Sequence, residues 1–420
     1  MNRPRAATFL VVSTSITAHT LNASKIVSGL VGRGHRVLWY AADRFAHTVA
    51  LCGAEHLPAA DDGGFEDTTA RGGGLGRVKS LFRDEVVGRA ATHRAALAAA
   101  VGGTRIDAVI SDTLIPAASL SAADLGAPWV TFGDGPLLCW DDGTPPFGTG
   151  LPFHPGRAGR RRNRDVQALL DRWLYRPFLD DLNALRLDAG LGTVPTVREA
   201  TVSPLLHLQG CTPSFEYPRA AGADHVHFVG ALGPVPGSAP EVPPTLTRSQ
   251  RSRPLAMVTQ GTLRPDLSEL AIPAARALVA EGFDVLVAGA QAGLWNPAPE
   301  RVTALPRVDY PGALAESDLF VTNGGYTGVT LAVAAGVPIV QAGNSEEKPD
   351  IGARVRWSGV GASLRIRNPP VWLLRQTIRR VMGSPARIEA SSRLSGESSC
   401  YDAAEISARL LGELAERTRG

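Results

Sequence analysis

Residues 7–40 read ATFLVVSTSITAHTLNASKIVSGLVGRGHRVLWY, and their punctuation decides the fold class. Ala7 to Val12 is a compact apolar run closed by the polar Ser13, the pattern of a strand buried on both faces. From Leu21 to Arg33, the apolar residues Ile26, Val27, Leu30 and Val31 recur at helical spacing, and Gly34 ends the pattern. His35 to Tyr40 then reads as a second strand. Strand, helix and strand in one short span predict a βαβ unit and a parallel sheet.

Further along, Ala108–Ser111 and Trp129–Phe132 read as strands, with the Ala-rich helical segment Ala117–Leu125 between them. Gly133–Arg164 is rich in Gly, Pro and Arg and reads as a long loop, and Asp165–Leu187 is helical in pattern. Val226–Val229 reads as the last strand of this half. Ala231–Pro254 carries too many prolines for a sheet or helix interior and predicts a semi-stiff linker. The grammar then restarts. Strands are expected at Leu255–Gln260, Phe283–Ala288, Leu319–Thr322 and Pro338–Ala342, and helices at Leu267–Ala280 and Val329–Ala335. A final amphipathic helix spans Asp402–Arg417. The expectation is α/β: two doubly wound domains facing a cleft, with an N-terminal domain at 1–230, a linker at 231–254, a C-terminal domain at 255–395 and a closing helix at 396–420.

Bulk composition agrees with a two-domain globular chain. The chain has 420 residues, 44% hydrophobic and 20% charged. A net charge of +3, from 43 basic and 40 acidic residues, is too even for nucleic acid to be the main partner. The basic run Arg157–Arg164 reads as a solvated loop, with a phosphate- or membrane-touching patch as the minority reading. Cys52, Cys139, Cys211 and Cys400 are scattered with no metal-ligand spacing, which fits a reducing cytoplasm. No stretch approaches the roughly 20 uninterrupted apolar residues of a spanning helix, so a cytoplasmic protein without stable membrane association is expected.

Doubly wound sheets bind ligands beyond the carboxyl ends of their strands. In the first half, His19 lies just past the first strand and Asp112 closes the strand at 108–111. Such a pair can act as a general base with an orienting carboxylate. A solvated loop histidine and a helix-capping aspartate fit the same spacing. In the second half, VTNGGYTGVTLAVAAGVP (321–338) runs from a strand end through a glycine pair into a helix, a start that suits a diphosphate. A plain chain-reversing turn fits it too. Gly261 and Thr262, after the strand 255–260, offer further donors to the same cleft, and Glu347–Lys348 could bond sugar hydroxyls or be an exposed charged turn. No GxSxG elbow, Walker A loop or strand-end DxD is present, and Gly29, Gly32 and Gly34 fall inside or at the end of a helix, where they make no dinucleotide fingerprint.

Together these segments resemble a GT-B-fold glycosyltransferase of the inverting family that holds bacterial macrolide glycosyltransferases and the plant and animal UDP-glycosyltransferases. The resemblance covers essentially the whole chain. It rests on Ser13–Val37, on ISD at 110–112 followed by LGAPWVTF, on SFEYPR at 214–219, on HFVGAL at 227–232, and on Val321–Pro338 followed by Glu346–Val355. It implies His19 as base and Asp112 as its carboxylate partner, with Asn323, Gly324, Gly325, Thr327 and Gly328 at the diphosphate. Glu347 and Lys348 fall where the family places an Asp-Gln pair on the sugar. It also implies that no metal or other cofactor is needed and that the closing helix crosses back to the N-terminal domain. The chain departs from the family at Asn323, usually His; at Leu331, usually Glu or Gln; and at Arg307, where an aromatic usually stacks on the base and Tyr310 is the nearby substitute. The acceptor is expected on Phe132, Leu137, Trp140, Phe147 and Phe153, side chains suited to an apolar polyketide or macrolide. The implied reaction moves a glucose-like hexose from a UDP- or dTDP-sugar to a hydroxyl. A non-catalytic binding partner and a nucleotide-sugar epimerase are the competing readings.

Overall fold

The computed structural model describes residues 6–60, 87–138, 141–219, 223–261, 266–290 and 300–419. Trp140 and Thr262, named above, lie outside the described residues. The chain forms two parallel sheets. The first has seven strands: β1 (Thr8–Val12), β2 (Arg36–Ala41), β3 (Glu55–Pro58), β4 (Ala108–Asp112), β5 (Trp129–Gly133), β6 (His207–Gln209) and β7 (Val226–Phe228), in the order β3-β2-β1-β4-β5-β6-β7. The second has six: β8 (Leu255–Thr259), β9 (Asp284–Ala288), β10 (Val302–Leu305), β11 (Leu319–Thr322), β12 (Ile339–Gln341) and β13 (Gly361–Ser363), in the order β10-β9-β8-β11-β12-β13. Each order reverses once, between β1 and β4 and between β8 and β11. Those reversals open the crevice where doubly wound sheets hold ligands.

Local chemistry explains the elements. In β1, Phe9, Leu10, Val11 and Val12 are fully buried, because helices cover both faces of the sheet. The helix Thr17–Gly32 turns Ala23, Ile26, Val27 and Leu30 toward that sheet. It stops where the Gly34 N–H reaches the Val31 carbonyl and the His35 N–H reaches the Leu30 carbonyl, with Gly34 at φ +85°. That left-handed glycine closure satisfies carbonyls the helix end leaves over.

The closing helix, Ala403–Arg419, lies along the helix Thr17–Gly32. Its Ala408, Leu411, Leu414 and Ala415 share one core with Ile26, Val27 and Leu30. Arg419 pairs with Asp107, just before β4, so the chain crosses back to the first half. A Cβ on Gly29 would come 2.2 Å from the Ala404 carbonyl oxygen, so this helix contact needs glycine.

The halves are also joined directly. Cys211 and Phe215, from the first half, pack into a core with Phe320, Val329 and Ile351 of the second. Arg354 donates to both carboxylate oxygens of the buried Glu216, at 2.7 and 3.0 Å. Burial would raise the Glu216 carboxyl, but Arg354 and Arg219 outweigh it and hold it down to about 2. Residues 231–254 cross between the sheets with one short 3-10 helix, Pro244–Leu246. No helix among the described residues is long and apolar enough to cross a membrane.

The structure corrects several local expectations. The basic run from Arg157 is the first part of a helix, Arg157–Leu170, not a loop. His19 sits inside the first turn of its helix rather than before it. The helix expected from Leu267 begins at Ala271, where the Gln260 side chain accepts the N–H groups of Leu270 and Ala271.

Candidate active site

At the first reversal, strand order places three chain segments side by side. β1 leads into the helix that carries His19, β4 ends on Asp112, and β5 ends one residue before Asp134. Nδ1 of His19 lies 2.7 Å from Oδ2 of Asp134 and 3.6 Å from Oδ2 of Asp112. The 2.7 Å contact is ionic, without regular hydrogen-bond alignment. Asp112 spends its lone pairs locally, accepting the Leu114 N–H at 2.7 Å and the Thr14 N–H at 3.3 Å. The side chains of Asp112 and Asp134 are 0% and 4% exposed, against 18% for His19, so the open side of the cluster is the imidazole.

Asp134, not Asp112, is therefore the nearer partner, and sequence reading missed it. The sequence shows only an aspartate directly after the strand WVTFG; it is the pairing of β5 with β4 that brings it to the imidazole. Burial disfavours the imidazolium, but Asp134 and then Asp112 outweigh it, and the pKa of His19 stands well above its ordinary value. Burial pushes Asp134 upward, while His19 pulls it back. Donor atoms of His19, Asp112 and Asp134 converge within 4.8 Å, and among the described residues only these three form a group that could hold a metal ion.

At the second reversal, β11 ends at Thr322 and residues 323–325 lead into the helix Tyr326–Ala334. Gly324 has φ +102°, and a Cβ there would lie 2.7 Å from Nε2 of Gln341. Only glycine fits. Asn323 donates to the Gln260 carbonyl, and its Oδ1 is buried with no hydrogen-bond partner among the described residues. Gln341, which sequence reading did not single out, braces the loop by donating to the carbonyls of Asn323 at 3.0 Å and Gly343 at 3.2 Å. The first N–H groups of the following helix have no intrahelical partners and point along its positive end. Gly261 turns with φ +77° beside Asn323.

The remaining expected residues are placed as follows. Lys348 is buried and pairs with Glu346, while Glu347 stands half-exposed at the start of the helix Lys348–Trp357. The Tyr310 hydroxyl meets that of Thr259 at 2.9 Å, and exposed Arg307 reaches the Ser238 carbonyl in the linker. Leu331 is buried against Gly233. Phe132 is sealed in the first core, which removes it from any acceptor surface in this state, and Leu137 is buried. Phe153 stacks on Tyr217 at 5.2 Å and meets Trp357 edge-on. Phe147 stays half-exposed on its loop.

The two edges are tied together. Asn22, one turn after His19, exchanges hydrogen bonds of 2.9 and 3.1 Å with the Thr327 hydroxyl. Gln209, at the end of β6, donates to the Tyr326 hydroxyl at 2.8 Å. The imidazole and the glycine loop thus flank one crevice. A separate cavity of about 370 Å³, lined by Trp129, Arg186, Val194, Leu205 and neighbours, opens at the amino end of β5 and holds none of these residues.

Two doubly wound sheets arranged in this way are the GT-B fold. No protein-family model matches the chain. Known proteins do: the chain is 34% identical over 416 residues to 4'-demethylrebeccamycin synthase of Lentzea aerocolonigenes, covering 94% of this chain and 97% of that one. It is 29% identical over 329 residues to UDP-glycosyltransferase 2 of Phaeomoniella chlamydospora, covering 73% and 71%. The crystal structure of the glycotransferase of kitacinnamycin superposes with a TM-score of 0.76 at 20% identity, over 98% of this chain and all of that one. The chain belongs to the family of UDP-glycosyltransferases and bacterial antibiotic glycosyltransferases, and it is a glycosyltransferase.

Proposed function

We propose that the protein transfers a hexose, with inversion, from a UDP- or dTDP-sugar to a hydroxyl of an apolar natural product. The carrying observation is that His19, backed by two buried carboxylates, stands one helical turn from Asn22, which is bonded to Thr327 at the glycine loop. Because Asp134 and Asp112 face Nδ1, the Nε2 atom is left for the acceptor. In the neutral tautomer with its proton on Nδ1, Nε2 takes the acceptor's hydroxyl proton. The hydroxyl oxygen forms its bond to the anomeric carbon as the bond from that carbon to the phosphate oxygen breaks. The diphosphate leaves with the bonding pair, toward the N–H groups after Gly324. Glu347 and Lys348 are the proposed sugar contacts, and Phe147 is the proposed acceptor contact. No resident metal or cofactor enters this scheme. The name of the Lentzea relative supports an acceptor of the natural-product kind.

The test is transfer itself. Purified protein is incubated with UDP-glucose or dTDP-glucose and a panel of hydroxylated natural products, and an added hexose is sought by mass spectrometry. His19→Ala should abolish transfer and leave nucleotide-sugar binding intact. Full activity in that variant refutes the base assignment, and nucleotide-sugar binding with no transfer to any acceptor favours a non-catalytic partner.

A further inference from the structure

The loop that carries Phe147 is held by the opposite half of the molecule. Its sequence, DDGTPPFGTGLPFHP at 141–155, offers little to order it alone. Its turn rests on the helix Lys348–Trp357 of the second half. In that helix's first turn, the Asp350 carboxylate accepts the Gly148 N–H at 2.7 Å and the Gly150 N–H at 2.8 Å. Arg365, just beyond β13, donates to the carbonyl oxygens of Gly150 at 3.1 Å and Thr149 at 3.3 Å. Gly150, at φ +58°, lies so close to Pro349 that a Cβ would meet its Cβ at 2.5 Å. All four hydrogen bonds join second-half side chains to loop backbone, two donated by the loop to Asp350 and two by Arg365 to the loop, so they fix the loop's position whatever side chains it displays. Asp350 is itself buried, so its carboxylate has been taken from water to make these bonds.

The same helical turn begins with Glu347 and Lys348. On the proposed assignment, one turn of helix carries both sugar contacts and, two residues later, the carboxylate that holds the acceptor loop. We propose that Asp350 and Arg365 are positioning residues that clamp the acceptor loop to the donor turn, so that nucleotide-sugar and acceptor bind with positive coupling. This rests on Glu347 and Lys348 contacting the sugar and on Phe147 facing the acceptor. A donor sugar that stills residues 347–350 stills the loop as well. An acceptor then meets a wall already in place and loses less conformational freedom on binding.

Two measurements on the full-length protein test this. The first is amide hydrogen exchange across 141–154, with and without UDP-glucose and dTDP-glucose. In the wild type, the nucleotide-sugar that binds should slow exchange at Gly148 and Gly150. In Asp350→Asn, where one acceptor oxygen becomes an N–H donor facing an N–H, and in Arg365→Ala, exchange should be fast and insensitive to nucleotide-sugar. The second uses the acceptor of highest turnover in the transfer panel. Its KM at saturating donor should rise about tenfold in either variant, while the Kd of the nucleotide-sugar alone, measured without acceptor, changes by less than about twofold. A purely structural lesion would move both. Unchanged exchange and unchanged acceptor KM in both variants, in a protein that transfers sugar, overturn the clamp alone. A wild type that binds neither nucleotide-sugar overturns the donor assignment and the coupling with it.

Discussion

The two sheet edges face one crevice with opposite chemistries. The first presents charged side chains, an imidazole against two carboxylates that are almost entirely buried. The second presents backbone, shaped at Gly324, where a Cβ would lie 2.7 Å from Gln341. The first edge is thus vulnerable to deletion of a side chain, and the second to addition of one. A proton must be taken by a group whose pKa can be tuned, whereas a diphosphate is held by fixed N–H dipoles that cannot titrate.

The sharpest way to break this contrast is His19→Ala. Loss of the base should lower kcat by roughly a hundred- to ten-thousand-fold, with nucleotide-sugar affinity unchanged by calorimetry. The converse is Gly324→Ala. At φ +102°, with a Cβ 2.7 Å from Gln341, it should raise the donor KM about tenfold or more and leave the pH dependence of turnover in place. If it instead shifted the pH profile, the two edges would not be chemically separate.

A subtler effect separates the two carboxylates. The raised pKa of His19 keeps the imidazole protonated above its ordinary value of 6.5, so turnover should climb with pH through a limb lying above that value. Asp134→Asn removes the nearer charge and should move this limb toward acid. Asp112→Asn should move it less, because Asp112 stands 3.6 Å away. The sign for stability is opposite to that for turnover. A histidine whose folded pKa is raised contributes stability that is fully present below 6.5 and is lost as pH rises through the folded value. Wild-type melting temperature should therefore fall over that window, and Asp134→Asn should flatten the slope. The smallest effect on chemistry is expected from Gly29→Ala, which forces a Cβ to 2.2 Å from the Ala404 oxygen. It should cost about 1–3 kcal/mol in denaturant unfolding by displacing the closing helix.

What sequence alone revealed follows the same division. β1, β4, β8 and β11 were legible because both faces of a parallel strand are buried, leaving continuous apolar runs. β3 (EHLP), β6 (HLQ) and β13 (GAS) were not, since each is short and takes its identity from the strand it pairs with. His19 and Asp112 could be named from their position past strand ends. Asp134 could not, because only the pairing of β4 with β5 brings it to the imidazole. Gln341 looked like the end of a strand, and its bracing of Asn323 depends on two strand ends meeting. Asp350 was hidden most deeply, because its partners Gly148 and Gly150 lie some two hundred residues earlier in the chain.

The closing helix bears on how the protein is made. Ala408, Leu411 and Leu414 complete a core whose other residues, Ile26, Val27 and Leu30 among them, leave the ribosome first. Until the helix 403–419 is synthesised, the amino-terminal half carries an open apolar furrow, for a time on the order of tens of seconds at ordinary translation rates. Apolar surface left open in this way is prone to aggregation until the helix docks and Arg419 reaches Asp107.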